Sequence, residues 1–143
     1  SAEYFQGLFK QTLGLEILVD PQIFKQRLAK VEAGDFEMAI YGWGPDYDDP
    51  MTFGDLFASW NPNNAGKYNN PEYDRWVGVA QNSLDTRERM QAFAEIQRII
   101  SDDAVILPNY ERGQMYLVDP RLKGVIRRAI GTDPDFTHAY IQE

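Results

Sequence analysis

The stretch Phe36–Pro50, F-E-M-A-I-Y-G-W-G-P-D-Y-D-D-P, decides how this chain is read. Phe36–Tyr41 is apolar at every position but Glu37, the pattern of a strand covered on both faces and so interior to a sheet. After Gly42 the run breaks into Trp43, Gly44, Pro45, Asp46, Tyr47, Asp48, Asp49 and Pro50, which mixes aromatic rings, chain-breaking residues and carboxylates. Upstream, Leu15–Val19 reads as another strand. Asp20-Pro21 then supplies an N-cap and a proline at the first helical position, for a helix with Phe24, Leu28 and Val31 on one face that runs to Ala33 and stops at Gly34. Strand, helix, strand at this spacing is a right-handed parallel crossover. The expected class is α/β, a mainly parallel sheet flanked by helices. The end of the sheet beyond Tyr41 is its carboxyl edge, where open α/β sheets take their ligands.

Outward from this unit, Phe5, Leu8, Phe9 and Leu13 follow a helical period over Ala2–Thr12, with Gly14 placed to end the helix in the left-handed region. Met51–Trp60 reads as a short helix and Asn61–Asn70 as a polar loop. Asn70-Pro71 caps a helix with Tyr73, Trp76, Val77 and Ala80 inward. Asp85 and Glu88 have the spacing of a capping box for a helix carrying Met90, Phe93, Ile96 and Ile100. Ala104–Pro108 and Gln114–Val118 read as strands, and Arg121–Glu143 is polar with weak periodicity. The chain opens inside a helix, with no basic region followed by an apolar stretch, and is expected to be a piece of a longer protein.

Several function classes drop out on composition. With 14 basic and 22 acidic side chains among 143 residues, the net charge is −8, a poor match to phosphate backbones or anionic lipid. No cysteine is present, which removes disulfides, thiolate catalysis and cysteine-ligated metals. No run approaches the ~20 apolar residues of a membrane span. The sequence has no G-x-S-x-G elbow, no Walker A loop, no H-E-x-x-H and no G-x-G-x-x-G after a strand, and its single histidine, His138, lies in the weakly patterned tail. Asp46, Asp48 and Asp49 do not make a calcium loop, because Pro50 and Met51 stand where such a loop needs a ligand and a glycine. Neither a catalytic residue, a metal ligand nor a cofactor is assigned.

Two readings of Gly42–Pro50 remain open on the residues alone: a rigid turn with Trp43 in the core, or the edge of a ligand cleft. In the second, a carboxylate partly shielded from water bonds an ammonium group, more strongly as the cleft closes and the local dielectric falls. That ligand would be cationic or zwitterionic.

Phe36–Pro50 resembles the G-W-x-x-D-Y-x-x-P segment of the oligopeptide- and dipeptide-binding proteins of ABC importers. Asn63–Asp74 (N-N-A-G-K-Y-N-N-P-E-Y-D) is similar to that family's N…Y-x-N/S-P-x-F/Y-D stretch, and the helix from Asp85 to Ser101 to its R…Y…Q-x-I/L helix. Ala104–Tyr110 (A-V-I-L-P-N-Y) resembles its A-x-x-P-x-Y strand, and Val118–Val125 (V-D-P-R-L-K-G-V) its V-x-P-x-V-x-G exit.

The resemblance implies one lobe of a type II periplasmic-binding-protein fold, from a large two-lobed protein that closes around a peptide. Residues 1–117 would form part of the second major ligand-binding lobe, and 118–143 a return segment toward a first lobe outside this chain. Asp46 would bind the peptide's α-ammonium, Trp43 and Gly44 would line the cleft beside it, and Tyr110 and Arg112 would approach it from a later strand. Core packing for Tyr110 and a solvated charge for Arg112 are the alternatives. Val31 and Ile40 are apolar near positions where some members carry basic residues for the peptide carboxylate, which leaves that contact unassigned. The implied partners are a peptide, the first lobe and the importer's permease, with no nucleic acid and no membrane insertion by this segment. The implied location is periplasmic, or extracellular and membrane-anchored as in a lipoprotein. Relatives that bind nickel chelates, haem or sugars, a small hydrolase built on Asp46 and Asp48, and a stand-alone interaction module are the alternatives.

Overall fold

A computed structural model describes residues 2–128, 130–131 and 133–143. In chain order it forms α1 (Ala2–Leu13), α2 (Phe24–Ala33), α3 (Met51–Gly54), α4 (Pro71–Asn82), α5 (Thr86–Asp102), β1 (Leu122–Lys123) and β2 (Tyr140–Ile141).

The core lies between α4 and α5. Tyr73, Val77 and Ala80 of α4 join Ala92, Phe93, Ile96, Ile99 and Ile100 of α5 in one buried cluster, closed by Met51 and Ala58. The inward set expected for α4 is correct, with Trp76 packed at the margin. On α5, Met90 is 49% exposed, while Ala92 and Ile99 are buried. The buried stripe at 92, 93, 96, 99 and 100 follows the helical period, and Met90 falls on its flank. Tyr73 is 1% exposed, and its hydroxyl donates to the Gly54 carbonyl at 2.8 Å, so its polar tip is satisfied inside the cluster.

The caps follow the expected chemistry with two changes. The Asn70 side chain accepts from the Glu72 and Tyr73 amides, and that of Asp85 from the Arg87 and Glu88 amides. Glu88 does not close the box directly. It takes the Ser83 hydroxyl, and Ser83 Oγ accepts from the Asp85 amide. Asp20 does not cap α2, which begins after Ile23; its carboxylate instead binds Gln22 and Lys30. The short helix expected over Met51–Trp60 ends at Gly54 and continues as turns.

Loop 61–70 is not merely polar surface. Asn64 is 3% exposed; its Nδ2 donates to the Tyr68 carbonyl at 2.7 Å and the Ala58 carbonyl at 3.3 Å, while its Oδ1 accepts from the Tyr68 amide.

The sheet departs from expectation. Among the described residues one two-stranded sheet forms, β1 with β2, and it is antiparallel, with Leu122 opposite Ile141. The stretches expected as strands at 15–19, 36–41, 104–108 and 114–118 belong to no ladder. Their apolar residues stand open: Leu18 is 95%, Met38 60%, Leu107 69% and Leu117 105% exposed. Parallel strands take their bonds from segments distant in sequence. The apolar pattern that marks a strand does not supply that partner.

Candidate functional site

Gly42–Pro50 leads into α3, and its carboxylates are divided by their surroundings. Asp49 is bound internally. Its side chain accepts from the Met51 amide at 2.9 Å and from Arg89 Nη2 at 2.7 and 2.8 Å on its two oxygens. These bonds, the Met51 amide first and then Arg89, hold its carboxyl below the ordinary range. Asp46 and Asp48 are exposed, so the shielding from water expected of the ammonium-binding carboxylate is not present in this chain. Among the described residues no hydrogen bond or ion pair engages the Asp46 carboxylate, whereas its backbone amide donates to Thr52 Oγ1 at 3.0 Å. Thr52 is 4% exposed, so the backbone at Asp46 is pinned to a buried group while its side chain stays free.

The surroundings are negative. Partial burial, followed by the charges of Asp55, Asp49 and Asp46, raises the Tyr47 phenol above its ordinary value. Asp55 is raised by burial. Trp43 is half-buried, and its indole Nε1 is buried with no acceptor among the described residues. Gly44 is exposed, with open space where a side chain would stand.

Tyr110 and Arg112, expected beside Asp46, are both exposed. Tyr110 is 65% exposed and, with Asn109, Tyr4 and Phe5, lines a shallow depression against α1. Arg112 is exposed. Neither is joined to Asp46 by a hydrogen bond or ion pair among the described residues. Of the apolar pair Val31 and Ile40, the first is 7% exposed and the second 46%. A basic group does reach Ile40: Arg27 Nη1 donates to its carbonyl at 2.8 Å, beside the Phe24 and Tyr41 rings. Among the described residues no group of three or more His, Cys, Asp or Glu side chains is placed to hold a metal, and no helix is long and apolar enough to cross a membrane.

The residues that sequence reasoning missed are those holding the segment, Arg89 and Thr52. The signal was slight: an arginine in the first turn of a helix, in line with the apolar stripe that continues through Ala92, Phe93, Ile96 and Ile100.

No protein-family model matches the chain. It is 32% identical over 128 residues to the periplasmic oligopeptide-binding protein OppA of Haemophilus influenzae, a match covering 90% of the chain and 23% of that relative. It is 28% identical over 142 residues to the oligopeptide-binding protein OppA of Bacillus subtilis, covering 99% of the chain and 26% of the relative. Among solved structures, the substrate-binding domain of an oligopeptide ABC transporter from Bacillus anthracis superposes with a TM-score of 0.89 at 27% identity, over 99% of this chain and 28% of that one. Listeria monocytogenes OppA bound to peptide superposes at 0.83 and 30% identity, over 99% and 27%. The chain thus spans about a quarter of the length of the curated relatives it matches. Over nearly its whole length, the chain is similar to one segment of the oligopeptide- and dipeptide-binding proteins of ABC importers.

Proposed function

We propose that this chain is part of a ligand-binding lobe that captures peptides for an ABC importer, by closure and without covalent chemistry. The observation that carries the reading is the contrast within one segment: Asp49 is bound to Arg89, while the Asp46 carboxylate has no partner among the described residues, on a backbone held by Thr52. Asp46 receives the peptide's α-ammonium. Trp43 and Gly44 line the wall beside it, and Tyr110 and Arg112 contribute from the segment after α5. Relatives named as peptide-binding proteins, one of them solved with a peptide bound, support the ligand class.

In the longer polypeptide, the extended stretches at 15–19, 36–41, 104–108 and 114–118 take their places in a mainly parallel sheet. That assignment accounts for apolar side chains that stand open here. Residues 1–117 then belong to the ligand-binding lobe and 118–143 return toward the other lobe. The permease is the downstream partner, and the location is extracytoplasmic, as the names of the periplasmic relatives support.

The test is calorimetric titration of the full-length protein with trialanine, tetraalanine and pentaalanine, each free and N-acetylated. Free peptides are expected to bind more tightly, by about 10–100-fold for one charge-assisted bond, and Asp46→Asn is expected to abolish that preference. Binding of none of these peptides, or a preference unchanged in Asp46→Asn, overturns the reading.

A further inference from the structure

We infer that Arg89, which lies on α5 outside the Gly42–Pro50 segment, is the positioning residue for the ammonium-binding carboxylate: it sets the ligand preference of Asp46 without touching ligand. The inference rests on the reading of Asp46 given above.

Arg89 has three separate attachments. Its Nη2 bonds both oxygens of Asp49 at 2.7 and 2.8 Å. Its Nε donates to the Ala80 carbonyl in the last turn of α4 at 2.8 Å. Its guanidinium carbon lies 5.1 Å from the centre of the Phe93 ring, one turn along its own helix. The Ala80 and Phe93 contacts fix the guanidinium to the core hairpin, and the Asp49 contact passes that fixity to the segment. From Asp49 the route is short. Its side chain accepts from the Met51 amide and its carbonyl from the Thr52 amide at 3.1 Å, which starts α3; Thr52 Oγ1 then accepts from the Asp46 amide. Hydrogen bonds linked through the residues Asp49 and Thr52 thus run from the buried hairpin to the backbone amide of Asp46, the residue that carries the exposed carboxylate.

Charge gives Arg89 a second effect. Paired with Arg89, Asp49 presents little net charge, so Asp46 is the carboxylate left for an incoming cation. A lysine at 89 restores the charge but cannot hold Asp49 and the Ala80 carbonyl in the planar geometry that the guanidinium allows.

The experiment compares wild type, Arg89→Lys, Arg89→Met, Asp49→Asn and Asp46→Asn in the full-length protein. It measures, for each alanine peptide, the ratio of affinities for the free and N-acetylated forms. Simple destabilisation lowers the binding-competent fraction for both forms alike and leaves the ratio untouched. Arg89→Met is expected to lower the ratio about three- to tenfold, with Arg89→Lys between it and wild type. Hydrogen exchange is expected to speed up at the Asp46 and Thr52 amides, with little change at the amides of Ile96 and Ile99. A ratio unchanged in both Arg89 variants, while Asp46→Asn abolishes it, overturns the positioning role and leaves the Asp46 reading intact. A ratio unchanged in Asp46→Asn as well removes both. Should Arg89→Met fail to fold, the comparison of Arg89→Lys with Asp49→Asn decides the matter by the same ratio.

Discussion

Asp49 and Arg89, forty positions apart, are joined by two contacts from one guanidinium nitrogen, and this pair ties the irregular segment after Tyr41 to the hairpin of α4 and α5. Both side chains are a little under one-third exposed, so the pair is neither a loose surface contact nor a fully desolvated one. Its additional bonds, from the Met51 amide and to the Ala80 carbonyl, distinguish it from an ordinary exposed ion pair.

Arg89→Met leaves a half-buried carboxylate without its cation and the Ala80 carbonyl without its side-chain donor. The expected loss is about 1–3 kcal/mol, read as a lower urea midpoint at unchanged slope. A change below about 0.5 kcal/mol, within the range of neutral surface substitutions, counts against the structural weight given to this pair.

The same pair sets an acid dependence. Because Asp49 is held below its ordinary value of 3.8, the stability it contributes is complete above that value and is lost as pH falls through the lower folded-state value. Asp49→Asn is expected to flatten the stability profile below about pH 4 relative to wild type, a comparison made by thermal melts in a pH series.

Tyr73 acts at the alkaline end. Burial first, with nearby Tyr68, Asp55 and Asp74, pushes its phenol far above the ordinary value of 10.0, and burial with the Asp103 hydrogen bond raises Tyr68 to about 12. The folded state keeps these protons, so stability is complete below about pH 10 and falls as pH rises past the unfolded-state value toward the folded one. Tyr73→Phe is expected to reduce that alkaline loss, at the cost of about 1 kcal/mol at neutral pH for the bond to Gly54. Denaturant titrations at pH 7 and above pH 10 read both effects.

Three helices are followed at once by a left-handed residue or end within two positions of one. A six-to-one bond closes two of them, Asp35 to Lys30 and Val105 to Ile100, while after α1 the Leu15 amide reaches one residue further back, to the Phe9 carbonyl. Glycine supplies the left-handed residue at Gly14 and Gly34, with φ of 70° and 72°, but Ala104 supplies it after α5, with φ of 51°. An alanine there carries a steric cost that glycine lacks. Ala104→Gly is expected to stabilise the chain by about 0.5–1 kcal/mol, visible as a raised melting temperature; a lowered one contradicts the account.

Gly124 is constrained by crowding as well as by φ. Its φ is +73°, and a Cβ placed there would lie 2.1 Å from the His138 carbonyl oxygen. Gly124→Ala is expected to separate β1 from β2, seen as faster hydrogen exchange in the 122–126 and 135–142 stretches, with the α4–α5 core unaffected.

Local chemistry made part of this protein legible from its residues. Asn70-Pro71, Asp85, Gly14 and Gly34 announce helix ends because caps and left-handed glycines act within a few positions of themselves. Tyr73, Val77, Phe93 and Ile96 announce an inward face because a helical period is a local property. The same locality misled at Asp20, whose carboxylate takes Lys30 instead of capping α2, and at Asn64, whose burial depends on where the Ala58 and Tyr68 carbonyls come to rest.

Within Phe36–Pro50 the sequence alone established a cluster of acids and aromatics after an apolar run. By composition its three aspartates are equivalent in kind, and it was the resemblance to G-W-x-x-D that singled out Asp46. The tertiary structure added a physical difference, by bringing Arg89 from a distant helix onto Asp49 and leaving Asp46 exposed. Strand pairing divides in the same way: the apolar pattern of 36–41 is written in its residues, but a ladder needs donors and acceptors on another segment, and hydrogen bonds between segments depend on approach in space, which no local pattern encodes.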